Sequence, residues 1–155
     1  AKAFGGYILA VELRHRRWSD DKDTAAFLRE HDIAWVQIDE PEFSSSVAAE
    51  VPVTAETAYF RFHGRNAKDW WTGDSETRYR YLYSLEEIAG LAERVSTAAE
   101  KVKTLFAFFN NHWQAYAPRN ANDLKKALQL PLQEIPMNLE MAQEKPDTES
   151  EVKES

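Results

Sequence analysis

From Ser84 to Phe109 the chain reads SLEEIAGLAERVSTAAEKVKTLFAFF, and just before it Ala58–His63 reads AYFRFH. The first part of the longer stretch is a helix. Ser84 with Glu87 three residues on forms a capping box, and Leu85, Ile88, Leu91, Ala92, Val95 and Val102 keep to one broad face. Thr104–Phe109 is apolar at almost every position, the pattern of a strand covered on both faces, whereas Ala58–His63 alternates strictly. Strand, helix, strand in this order implies a crossover between parallel strands.

Working outward, the same alternation continues. Tyr7–Leu13 (YILAVEL) follows Gly5-Gly6 and reads as a buried strand. Thr24–His31 spaces Ala25, Phe27, Leu28 and His31 helically behind Asp20, Asp21 and Asp23, acids that suit a helix N-terminus. Ile33–Asp39 is a second strand stopped by Pro41, and a last helix from about Asn120 to Leu130 ends at Pro131. Four parallel strands with crossover helices define an α/β chain. The first strand is followed by RHRRW and not by a glycine-rich phosphate loop, so a partial TIM-type (β/α) barrel is expected over a doubly wound nucleotide fold.

The 155 residues carry a net charge of −7. Glu140, Glu144, Asp147, Glu149, Glu151 and Glu154 against Lys145 and Lys153 supply −4 of it. Residues 1–137 are therefore expected to form the folded unit, and 138–155 an acidic, disordered tail. No cysteine is present, which excludes thiolate ligands, cysteine nucleophiles and disulfides. No apolar run is long enough for a membrane helix and no leader pattern opens the chain, so a cytoplasmic protein with no membrane partner is expected.

Polar residues recur along the strands. Alternate positions set Glu12 and Arg14, then Gln37 and Asp39, then Tyr59, Arg61 and His63 apart from their apolar neighbours, and these stripes are expected to face one side and gather at the C-terminal strand ends. Asn110, Asn111 and His112 follow the last strand. Glu12, Asp39 and His63 are the candidate catalytic groups; Arg14, Arg61, Arg65, Asn66, Asn110 and Asn111 are the candidate ligand contacts. The FHGRN turn suits a phosphate or carboxylate. Glu12, Asp39, His63 and His112 have the chemistry to hold a divalent metal, although no compact ligand spacing occurs, so the cofactor stays open. The alternative for Glu12 and Arg61 is a buried ion pair. The loop Lys68–Tyr83 interleaves Trp70, Trp71, Tyr79, Tyr81 and Tyr83 with Arg78 and Arg80, which suits a lid or a stacking platform for single-stranded nucleic acid. His15, Arg16 and Arg17 make the densest basic cluster.

In order along the chain, ELRHRRW (12–18), DEP (39–41), YFRFHGRN (59–66), RYRYLYS (78–84) and FFNNHWQAYAPRNAN (108–122) resemble the second half of the domain-of-unknown-function 72, or YecE-like, family over about Ala10 to Leu130. The resemblance implies a TIM-type barrel of which the N-terminal half is missing, and no settled activity. Two readings stand. One is an enzyme-like barrel that binds an anionic, phosphate-bearing small molecule or nucleic acid, with metal-assisted hydrolysis open to it. The other is a non-catalytic binding module or an inactive half barrel that self-associates through its exposed strand edges.

Overall fold

A computed structural model describes residues 4–135; the expected acidic tail, 138–155, lies outside the described residues. The elements follow as β1 (Leu9–Val11), α1 (Arg16–Asp20), α2 (Lys22–Glu30), β2 (Ile33–Trp35), β3 (Gln37–Asp39), β4 (Thr57–Phe62), α3 (Ser75–Arg78), α4 (Leu85–Ala99), β5 (Thr104–Phe109), a 3-10 turn at Trp113–Ala115, and α5 (Tyr116–Ala127). β1 pairs with β2, and β3, β4 and β5 pair in that order, every ladder being parallel. The result is a mixed α/β fold whose strands, among the described residues, do not close on themselves. Among the described residues no helix is long and apolar enough to cross a membrane.

The segment Ile33–Asp39, expected as one strand, serves two partners. Its first half pairs back with β1 and its second half pairs forward with β4. Between them the Val36 N–H donates to Val11 O at 2.9 Å, so the ladder changes partner without the chain turning. β1 is shorter than the apolar run Tyr7–Leu13, because Tyr7 and Ile8 lie exposed at 77% and 71%. Two short helices, α1 and α3, escape hydrophobic periodicity because they span only five and four residues.

The helix α4 forms as its spacing predicts. Glu87 N–H donates to Ser84 Oγ at 3.2 Å, and Glu87 Oε2 accepts from Ser84 N–H at 2.8 Å. Ile88, Leu91, Ala92 and Val95 then meet Ala58, Phe60 and Phe62 of β4 in the main core, with Leu124 of α5 beside them. Asp21 caps α2, two residues earlier than expected, and Leu28 and Ala25 cluster with Val11, Ile33 and Trp35. α5 starts four residues before the predicted Asn120, so that residue becomes an interior helix position with no exposure.

β5 corrects the expectation of a strand covered on both sides. Its register aligns Leu105, Ala107 and Phe109 with Ala58, Phe60 and Phe62, the face that α4 and α5 cover. Phe106 and Phe108 point the other way and are 42% and 46% exposed, because no described element packs over that face.

Replacing Ser84 with Ala removes one half of the capping box, and urea unfolding should show a loss of about 1 kcal/mol. Ile88→Ala, which empties a site only 1% exposed, should cost roughly 2–5 kcal/mol in the same measurement.

Candidate functional site

The sheet register decides where the polar side chains go. In a parallel pair, aligned residues share a face. Arg61 aligns with Ile38 and Phe108, on the face that the helices leave open. Phe62 aligns with Asp39, on the face packed against α4. Asp39 and Gln37 therefore do not join Glu12, Arg61 and His63 in one stripe. The alternation within each strand was read correctly, but β3 is in the opposite phase to β4, and the polar groups form two clusters.

On the open face, Glu12 is the centre. Arg14 Nε donates to Glu12 Oε1 at 2.5 Å, and Arg61 Nη1 donates to Glu12 Oε2 at 2.6 Å. Arg61 Nε also donates to Asn110 Oδ1 at 3.1 Å. His63, 1% exposed, accepts at Nε2 from Arg14 Nη2 at 3.0 Å, and the same nitrogen lies 3.8 Å from Glu12 Oε1. With Nε2 accepting, the imidazole is neutral and protonated at Nδ1, a buried atom with no hydrogen-bond partner among the described residues. Burial raises the Glu12 pKa, but the hydrogen bonds from Arg14 and Arg61, with His63 beside them, outweigh it and hold the carboxyl well below its usual range. Burial lowers the His63 pKa; the neighbouring Glu12 opposes this, and the Arg14 and Arg61 charges add to it. Trp70, 5% exposed, and Tyr79 cover the His63 ring, with centroids 6.4 Å and 5.8 Å away.

On the helix face, the Asp39 carboxylate is 5% exposed and Arg65 grips it through Nε at 2.9 Å and Nη2 at 2.8 Å. Tyr83 OH donates to Asp39 Oδ1 at 2.8 Å, Arg94 Nη1 to Oδ2 at 3.3 Å, and Arg65 Nη1 to Glu87 Oε1 at 3.2 Å. The bond to Asp39 raises the Arg65 pKa, and burial first, then Asp39, raises that of Tyr83. A cleft of about 290 Å³ opens beside this network, lined in part by Glu40, Pro41 and Arg94.

The remaining candidates are placed as follows. Asn111, with no exposure, donates to Tyr81 O at 2.8 Å and Asn120 Oδ1 at 2.9 Å. Asn66 donates to Asp69 Oδ2 at 3.0 Å and Thr77 O at 2.8 Å, bracing the covering loop. His15 caps α1, and Arg16 reaches Ser44 O at 3.1 Å. Trp71 is 69% exposed and packs on Phe43. Among the described residues no group of three His, Asp or Glu is placed to hold a metal ion, so Glu12, Asp39, His63 and His112 do not converge as ligands.

Sequence reasoning missed Glu40. It follows Asp39 by one position and so falls in the opposite phase, and its pKa is raised by burial first, with Glu12 and Asp39 adding to that and Arg14 opposing it. Its signal was available: in the DEP run, one of two adjacent carboxylates must face each side. Tyr83 stood out only as one aromatic of the 68–83 loop, and Asn120 and Arg94 carried no signal of their own, because only packing brings these residues to Asp39 and the segment around the turn after β4.

The lowered His63 pKa has a definite consequence for stability. Below about pH 6.5 the unfolded chain takes up a proton that the folded chain resists, so stability falls as the pH drops through that window. Glu40, raised, acts in the opposite sense from about pH 4.5 upward and is common to both proteins compared. Urea unfolding at about pH 7.5 and about pH 5.5 should show a larger acid-side loss in the unaltered chain than in His63→Asn; equal losses would contradict this assignment.

The model of the family described as "Protein of unknown function DUF72" matches residues 1–147. A crystal structure of a DUF72 family protein from Thermotoga maritima is 44% identical with a TM-score of 0.75, over 80% of this chain and 47% of that one. A DUF72 family protein from Enterococcus faecalis is 32% identical, also at 0.75, over 84% of this chain and 50% of that one. The chain thus spans about half the length of these solved relatives. No curated protein matches it. By the family model and by both structural neighbours, the chain belongs to the DUF72 family.

Proposed function

We propose that the chain is an arc of a TIM-type β/α barrel whose open-face cluster binds a small phosphate-bearing anion, with His63 as the proton-transfer group. The observation that carries this reading is the convergence of Glu12, Arg14, Arg61 and Asn110 with one buried neutral imidazole at the C-terminal strand ends. Two guanidiniums share the Glu12 carboxylate, with Glu40 a second acidic group near Arg14, and the Arg14 and Arg61 side chains are 45% and 33% exposed, so their donors can reach an incoming anion. Such forked donors suit phosphate oxygens. The arc is supported by strands running in sequence order without reversal, unlike a doubly wound sheet, and by ligand sites lying at this end in such folds.

The chemistry follows from the hydrogen bonds. An anion that draws Arg14 towards itself frees His63 Nε2, which then takes a proton from a water molecule as that water attacks the phosphorus of a phosphate ester; the P–O bond to the ester oxygen breaks, and the departing alcohol takes the proton back from His63. The negative Glu12 at 3.8 Å stabilises the imidazolium so formed. Arg65 and Asp39 belong to the helix-face network and hold the turn after β4. Phe106 and Phe108, with the edges of β1 and β5 that are unpaired among the described residues, support self-association as a separate property of the same arc.

Calorimetric titration with inorganic phosphate tests the site. Arg14→Gln should weaken phosphate binding by about tenfold or more at an unchanged melting temperature. Arg65→Gln should lower the melting temperature and leave phosphate affinity as it was. Equal affinity in the unaltered chain and Arg14→Gln, or a loss confined to Arg65→Gln, would sink the reading.

A further inference from the structure

The two clusters meet at one backbone turn. His63 faces Arg14 and Glu12, whereas Arg65, two residues on, faces Asp39 on the other side of the sheet. Strand alternation would put both on one face, and Gly64 breaks it with φ +86°. A Cβ at this position would stand 2.7 Å from Tyr81 Cβ, so the turn is tight as well as left-handed.

The turn is pinned by Tyr83. Gly64 N–H donates to the Tyr83 hydroxyl at 2.8 Å, and that hydroxyl donates onward to Asp39 Oδ1 at 2.8 Å. His63 N–H is held in turn by Asp39 O at 2.8 Å. Tyr83, 2% exposed, is itself fixed at both backbone groups. Its N–H donates to Asn120 Oδ1 at 3.0 Å, and its carbonyl accepts from Asn120 Nδ2 at 3.1 Å. Asn111 donates to the same Asn120 oxygen and to Tyr81 O. Two asparagines with no exposure thus hold the segment that carries the hydroxyl.

We propose that Tyr83 is a positioning residue, whose hydroxyl fixes the Gly64 turn and thereby holds the His63 ring between Arg14 and the Trp70–Tyr79 cover. The inference rests on His63 being the working group of the open-face site. The charged and titratable groups facing the ring are Glu12 and Arg14 after β1, Arg61 on β4 and Tyr79 from the covering loop. None of these is touched by removing the Tyr83 hydroxyl, so a change at His63 reports its placement.

The experiment is a pH titration of the imidazole resonances, only four histidines being present, in the unaltered chain, Tyr83→Phe and Ile88→Val. Loosening the turn admits water to the ring, so Tyr83→Phe should raise the His63 midpoint by about half a pH unit or more. Ile88→Val weakens the same core without reaching the turn and should leave it in place. An unchanged midpoint in Tyr83→Phe, or an equal rise in both variants, overturns the proposal. If Tyr83→Phe does not fold, hydrogen exchange at the Gly64 amide of the unaltered chain decides: slow exchange supports the pinned turn, and exchange at the rate of an open loop overturns it. Phosphate binding is not read in either measurement, so failure of the anion site and failure of this inference stay distinguishable.

Discussion

The Asp39 carboxylate is the group on which the neighbouring parts of the structure depend. It is almost wholly buried, and a carboxylate in such a place is tolerated only when donors surround it. Four hydrogen bonds do so: two from Arg65, one from Arg94 on α4 and one from Tyr83. Its own backbone carbonyl takes the His63 N–H. The end of β3, the turn after β4, the helix α4 and the segment before it are thereby referred to one residue. The main core beneath, with Phe60 and Phe62 against Ile88 and Leu91, supplies the apolar burial but not this registration.

The open-face cluster is built on different physics. Glu12 has only two guanidinium partners, and both reach towards solvent. Its geometry is held from below by the β4–β5 ladder, where Arg61 sits beside Phe108, and from above by Trp70 and Tyr79. The neutral His63 lies between these layers, almost without exposure and in contact with Arg14. Tyr59, Phe106 and Phe108 continue the same face as a near-stacked aromatic wall, Tyr59 and Phe108 lying 5.1 Å apart.

Much of the fold was legible in the chain. The capping box at Ser84 and Glu87 located α4 because both partners of that motif are local. The order of strands and helices gave parallel pairing, because a crossover helix leaves no other direction for the next strand. Alternation and strand-end position put Glu12, Arg14, Arg61, His63 and Asn110 in one expected polar set, but the same reasoning put Gln37 and Asp39 in it, and they lie on the other side of the sheet. Asn66 and Asn111 looked like the same kind of residue, yet they brace a loop and a buried segment, since an amide shows nothing in sequence of which backbone it will meet.

The sequence by itself determined the α/β alternation, the parallel sense of the strands and which residues of each strand lie together, since these follow from periods of 2 and 3.6 residues and from local caps. Only the tertiary structure decided which side of the sheet each set occupies. The phase of β3 against β4 sends Asp39 to the side of Phe62 and α4 and Ile38 to the side of Arg61, and Gly64 sends His63 and Arg65 apart. Alternation fixes what shares a face within a strand. Register between strands and the hand of a single turn fix which face that is, and both arise from contacts between residues far apart in the chain.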